Sequence, residues 1–180
     1  MKLNIGCGPM WLEGYLNVDI EPVGALLRQM LEQEITGVPV LAAKTLQFDL
    51  RQPWPWADGS VEEILADQFL EHLDDYELNH VLQEGFRVLR SGGRLHGRTP
   101  DFARVWKACS WRSDFGFRPA AREGVYQAPW MNALRNYCYE WGHKQVWTQE
   151  MVAFRLRLVG YEAKVANDRD VDMRFEAVKP

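Results

Sequence analysis

Short apolar runs, each closed by a glycine or an acid, alternate along this chain with segments of helical period, and that alternation leaves few folds open. KLNIG (2–6) and YLNVDI (15–20) are compact runs of strand length. GALLRQMLEQEI (24–35) spaces its apolar residues as a helix does and ends near Gly37 and Pro39. LQFDL (46–50) is the third strand, followed by the turn-rich RQPWPWADGS, and VEEILAD (61–67) is the fourth. YELNHVLQEGFRVLR (76–90) puts Leu78, Val81, Leu82, Phe86 and Leu89 on one helical face and runs out at Gly92-Gly93. GRLHGRT (93–99) is the fifth strand. Thr148 stands where an N-cap belongs for a helix through Leu158, with Gly160 after its end. YEAKVA and VDMRFEAV close the chain as an alternating pair of strands. This order predicts an α/β fold, a mostly parallel sheet with one antiparallel edge strand.

At 180 residues the chain is expected to form one domain, residues 1–180, burying roughly 70% of its unfolded surface without disulfides or metal. Cys7, Cys109 and Cys138 are odd in number and form no CxxC or Cys/His cluster, so no disulfide framework or metal site is expected. No run approaches the ~20 uncharged apolar residues of a membrane span, and no signal sequence is legible, which points to the cytoplasm. The net charge of −4 argues against wholesale wrapping of nucleic acid, but the sign is uneven. Residues 101–147 carry a local +3, with Arg104, Lys107, Arg112, Arg118, Arg122, Arg135 and Lys144 outnumbering the acids. This stretch is too long for an ordinary connection and reads as an insertion or lid after the fifth strand.

Asn4-Ile5-Gly6-Cys7-Gly8 ends the first strand, where an open parallel sheet places its ligand, and glycine there lets backbone approach without interference from a Cβ. Asp19 ends the second strand, where a carboxylate can accept both hydroxyl protons of an adenosine ribose. Phe48-Asp49-Leu50 ends the third with an acid beside apolar residues, suited to an adenine amino group and face. The competing reading makes Asp19 and Asp49 simple caps of the turns after their strands. Only six residues, Pro9 to Gly14, separate the glycine loop from the second strand. A crossover with a full helix needs at least ~10 to 12, so that helix is a single turn or absent. Dinucleotide binding wants that helix for its pyrophosphate, and a third glycine, which argues against a nicotinamide dehydrogenase.

NIGCG, NVDI, FDLRQPWPWADGSVEEILADQFLEHL and EGFRVLRSGGRLHGRTPD together resemble the class I S-adenosylmethionine-dependent methyltransferases, in particular small bacterial and phage forms with an abbreviated first crossover. GHKQVWTQEMVAFRLRLVGYE (142–162) is similar to that family's last helix and following strand. The resemblance implies a Rossmann-like fold and S-adenosylmethionine as cofactor. It implies that Gly6, Cys7 and Gly8 pass close to the cofactor, that Asp19 with Ile20 holds its ribose, and that Asp49 with Leu50 flanks its adenine. Gln68 and His72, in the stretch holding the family's EHL, fall where the family lines the methionine moiety. Asn4 replaces the family's usual acid, leaving the methionine amino group without that charge partner.

Methyl transfer needs an aligned acceptor, and a general base where the acceptor is a hydroxyl. His143 in WGHK is the first candidate for that base and Asp101 in RTPD the second, although Asp101 equally suits the cap of a helix in DFARVWKA, and His72 a packed residue opening the next helix. Eight tryptophans are present, and Trp106, Trp111, Trp130, Trp141 and Trp147 interleave with the arginines of the insertion. Such a surface suits a sugar or nucleotide-linked acceptor, or else single-stranded nucleic acid, a covering for the sheet end or a dimer contact. Asp67-Gln68-Phe69-Leu70 departs from the [DNS]PP[YFW] of DNA base N-methyltransferases, and no Pro-Cys pair offers a cysteine nucleophile. The expected activity is therefore O-methylation of a glycan or other small polar acceptor by a monomer or homodimer. A non-catalytic cofactor-binding or interaction protein and a nucleic-acid methyltransferase are the alternatives.

Overall fold

A computed structural model describes residues 1–22, 25, 45–110 and 142–180. The expected helix at 24–35 and most of the insertion lie outside the described residues. Among the described residues seven strands form one sheet: β1 (Lys2–Ile5), β2 (Leu16–Asp19), β3 (Leu46–Gln47), β4 (Val61–Leu65), β5 (Leu89–Pro100), β6 (Glu162–Asn167) and β7 (Asp172–Val178). Their order across the sheet is β3-β2-β1-β4-β5-β7-β6. β1 lies between two parallel partners, with Leu3 opposite Leu16 of β2 and Ile64 of β4. Leu3, Ile5, Val18 and Ile64 are accordingly buried, as the short apolar runs require.

The antiparallel strand is β7, one place in from the edge. It inserts between β5 and β6, pairing antiparallel with both, and β6 forms the edge. Helix α1 (Asp75–Val88) opens on a capping box: Asp74 Oδ1 accepts the Tyr76 and Glu77 N–H groups, and Glu77 Oε2 accepts the Asp74 N–H. It stops two residues short of Arg90, because Leu89 leaves the helix to pair with Val61. Helix α2 (Phe102–Ser110) follows β5 directly, and α3 (Gln149–Val159) is capped by Thr148 and ends at Gly160, whose φ is +114°. Between β1 and β2 there is no helix. Two buried asparagines hold the loop instead. Asn4 Nδ2 donates to Met10 O and to Asn17 Oδ1, and Asn17 Oδ1 also accepts the Leu12 N–H. No described helix is long and apolar enough to cross a membrane.

Candidate active site

β2 and β3 lie to one side of β1, β4 and β5 to the other, so the chain reverses its direction of travel across the sheet at the β1/β4 boundary. Such reversals open a crevice at the carboxyl ends of the strands. A cleft of about 570 Å³ sits there, a volume typical of small-molecule sites.

Gly6 and Gly8 line it with φ of +58° and +47°, left-handed backbone that only glycine adopts without strain. The turn they make aims the Gly8 N–H at Asp19 Oδ2, at 2.8 Å, while Asp19 Oδ1 accepts the Glu21 N–H at 3.0 Å. The carboxylate is thus oriented from two sides, and each oxygen keeps a lone pair for a further donor. A Cβ at Gly8 would meet nothing within 4 Å among the described residues, whereas one at Gly6 would run into the Phe69 ring.

Phe48, Asp49, Leu50 and Arg51 form the wall beyond β2. Arg51 clamps Asp49, Nε to Oδ1 at 2.8 Å and Nη2 to Oδ2 at 3.0 Å, and reaches Glu77 with Nη1. These bonds hold the Asp49 carboxyl below the usual carboxylate range. Lys144 donates to Glu77 Oε2 at 2.8 Å and is the main cause of the depressed Glu77 carboxyl. Arg51 and Lys144 are thereby engaged, and among the described residues the acids lining the cleft, Asp19, Glu21, Asp49 and Glu77, outnumber these two bases.

Beyond β4 the chain turns sharply. Gln68 takes φ of +52° and lines the cleft, its Nε2 donating to Asp172 Oδ2 at 2.8 Å. Such backbone in a non-glycine residue concentrates at functional sites. The next residues form a 3-10 turn, Leu70–His72. Glu71 is completely buried, its Oε2 accepting from Thr99 Oγ1 at 3.1 Å, and its Oε1 has no hydrogen-bond partner among the described residues. Burial pushes this carboxyl up to about 8. The Glu71 carbonyl accepts the N–H groups of Lys144 and Gln145 at 2.8 and 3.1 Å, stitching 144–145 onto the turn. His143 is thereby brought against His72, ring centroids 5.0 Å apart. His72 Nδ1 donates to the Gly142 carbonyl at 3.4 Å, leaving Nε2 as the acceptor nitrogen. Burial, ahead of Lys144, holds the imidazole below its ordinary value and therefore neutral at pH 7.

Of the residues singled out in the sequence, Gly6, Gly8, Asp19, Ile20, Asp49, Leu50, Gln68 and His72 line this one cleft. Asn4 and Cys7 are buried and absent from its lining. Asn4 turns into the loop it braces, and the Cys7 thiol is pushed up to about 12 by burial and then by Asp19, so it stays protonated. Asp101 is also buried outside the lining: Oδ1 accepts the Ala103 N–H as the cap of α2, and Oδ2 accepts from Gln149 Nε2. That geometry gives Asp101 the capping role. Arg51, Phe69, Glu77 and Lys144 line the cleft without having been singled out for it. Only the sequence nearness of Arg51 to Asp49, and of Phe69 to Gln68, hinted at two of them.

A family model described as a methyltransferase domain matches residues 3–96. The chain belongs to that methyltransferase family. It is an enzyme whose cofactor is S-adenosylmethionine. Solved structures share its fold. The PH0226 protein from Pyrococcus horikoshii has 16% identity and a TM-score of 0.63, with 99% of this chain and 81% of that one covered. A SAM-dependent methyltransferase from Archaeoglobus fulgidus has 15% identity and a TM-score of 0.60 over 99% and 85%. Another from Methanosarcina mazei has 20% identity and a TM-score of 0.58 over 99% and 91%. No curated protein matches the chain.

The residues fit such a cofactor. The space beside Gly8 is one a Cβ would enter, the Asp19 oxygens retain acceptor capacity, and the excess of carboxylates suits a sulfonium cation.

Proposed function

We propose that the methyltransferase acts on a hydroxyl oxygen of a glycan or other small polar acceptor. In this reading Gly6 and Gly8 pass close to the cofactor and Asp19 holds its ribose. Ile20 and Leu50 bound the base with Asp49 beside them, and Gln68 borders the methionine end. When bound, S-adenosylmethionine supplies a methyl carbon activated by the positively charged sulfur. What the chain adds is alignment and a sheltered, acid-rich surrounding for that charge. His72 and His143 serve the acceptor side, where imidazoles are suited to orienting a hydroxyl. The aromatic, basic insertion, largely outside the described residues, is proposed to cover the acceptor.

The observation that carries the cofactor side of this reading is the doubly oriented Asp19 carboxylate at the end of β2, facing the open backbone of Gly8, and the approach of His143 to His72 supports the acceptor side. The test is release of S-adenosylhomocysteine in the presence of neutral glycans, sugar nucleotides and short oligonucleotides, with mass spectrometry of each acceptor. A product heavier by one methyl at oxygen in the first two groups is the expected result. Methylation confined to oligonucleotides would overturn the acceptor class. Cofactor binding with no acceptor modified in any group would also overturn the acceptor class.

A further inference from the structure

Glu71 and His72 are neighbours in sequence and His143 is remote from both, yet each presents a metal-ligating atom, and these three atoms lie within 4.8 Å of one another. Three features set the cluster apart from ordinary surface groups. Glu71 Oε1 is buried and meets no hydrogen-bond donor among the described residues, an arrangement that costs free energy unless a proton or a metal cation compensates it. Glu71 Oε2 is fixed by Thr99, which orients the carboxyl group. His72 Nδ1 donates a hydrogen bond to the Gly142 carbonyl, the supporting bond that ligating histidines commonly make, which leaves Nε2 as the acceptor nitrogen. The same segment, 142–145, is pinned by the Glu71 carbonyl, so the histidine arriving from the far end of the insertion is held by main-chain bonds.

We infer that Glu71, His72 and His143 form a binding site for one divalent transition ion at the edge of the cleft. Two imidazoles and one carboxylate are a donor set of intermediate softness, suited to Zn²⁺, Fe²⁺ or Co²⁺ rather than to Mg²⁺ or Ca²⁺. With metal–ligand bonds of about 2.1 Å, donors in a tetrahedral site stand about 3.4 Å apart. The widest pair here therefore closes by about 1.4 Å. Three protein ligands leave coordination open, as in metal sites that engage a substrate. His72 lines the cleft, so an open position is available to an oxygen of the acceptor. This last consequence rests on the acceptor reading above; ion binding itself does not.

The experiment uses the untagged full chain, stripped with chelator and titrated with Co²⁺. Visible ligand-field absorption and equilibrium dialysis are the readouts, and S-adenosylhomocysteine binding is measured calorimetrically on the same preparation. One Co²⁺ per chain is expected. Glu71→Gln and His143→Ala are each expected to weaken it more than about a hundredfold, because losing a ligand should exceed the 10- to 100-fold cost of losing a supporting bond. Circular dichroism establishes that each variant is folded, and His143→Ala, outside the sheet and helices, serves if Glu71→Gln does not fold. No Co²⁺ bound at millimolar concentration, or His143→Ala binding like the parent, overturns the site. Co²⁺ binding without S-adenosylhomocysteine binding sinks the methyl-transfer reading and leaves the ion site standing; the converse result sinks the ion site alone.

Discussion

Replacing Asp19 by asparagine probes the cleft at its most constrained point. The carboxylate accepts Gly8 N–H at 2.8 Å on one oxygen and Glu21 N–H at 3.0 Å on the other, and the residue is 8% exposed. The amide keeps the shape but turns one acceptor into a donor, so in either orientation one backbone N–H faces another N–H. A hydrogen bond to a charged acceptor contributes about 1.5–3 kcal/mol, and here one is lost while the other is weakened. A destabilisation of about 2 kcal/mol follows, which for a chain of this size lowers Tm by roughly 4–8 °C. If Asp19 also receives the ribose hydroxyls, the substitution removes an acceptor and a charge from the ligand. The affinity for S-adenosylhomocysteine is then expected to fall about 10- to 100-fold, or about 1.4–2.7 kcal/mol. Thermal unfolding followed by circular dichroism reads the first effect, and isothermal titration at a temperature well below both melting points reads the second. A variant that melts lower but binds as tightly as the parent refutes the ribose role. One that melts unchanged refutes the account of how the loop is held.

Gly8→Ala and Gly6→Ala both force alanine into left-handed backbone, but only Gly6→Ala also meets the Phe69 ring. Urea unfolding should give about 1 kcal/mol for the first and at least about 2 kcal/mol for the second, and the opposite ranking would contradict the packing described. In β5, a Cβ at Gly97 would collide with the Ala66 carbonyl, so Gly97→Ala should cost about 3 kcal/mol or prevent folding, whereas near-neutral behaviour would show that β4 and β5 pair differently. Burial alone would raise the Glu63 carboxyl, but Tyr15, Lys2, Arg94 and His96 outweigh it and bring it to about 2 from 4.5. Its contribution, on the order of 2 kcal/mol, is present above pH 4.5 and lost as pH falls toward 2; Glu63→Gln should flatten acid unfolding over that window, and an unaltered curve would exclude the coupling. Asp101→Asn keeps a good N-cap and should leave kcat within about twofold, while a hundredfold loss would return Asp101 to the chemistry.

Local rules determined the elements and the broad placement of the cofactor cleft. The first, second and fourth apolar runs are buried strands because each is short and closed by a residue that ends a strand, as Leu3, Ile5, Val18 and Ile64 show, whereas the third pairs only through the exposed Leu46 and Gln47. Thr148 and Gly160 delimit α3 through caps that depend on residues adjacent in sequence. The six residues between glycine loop and second strand limited the helix there to a single turn or none, by length alone. Gly8 and Asp19 could be paired from sequence because they close neighbouring parallel strands, which puts their ends side by side. Tertiary packing decided the rest. Nothing in NIGCG says that Asn4 will brace the loop through Asn17 instead of facing a ligand, since that depends on which way a buried side chain turns. Asp101 became a cap because α2 starts at the very end of β5. The approach of His143 to Glu71 and His72 required the backbone of Lys144 and Gln145 to bond to the 3-10 turn. Periodicity reports which face of an element is buried, and spacing reports what a loop can reach. Neither encodes the meeting of side chains some seventy residues apart, which is set by how the sheet brings its strand ends together.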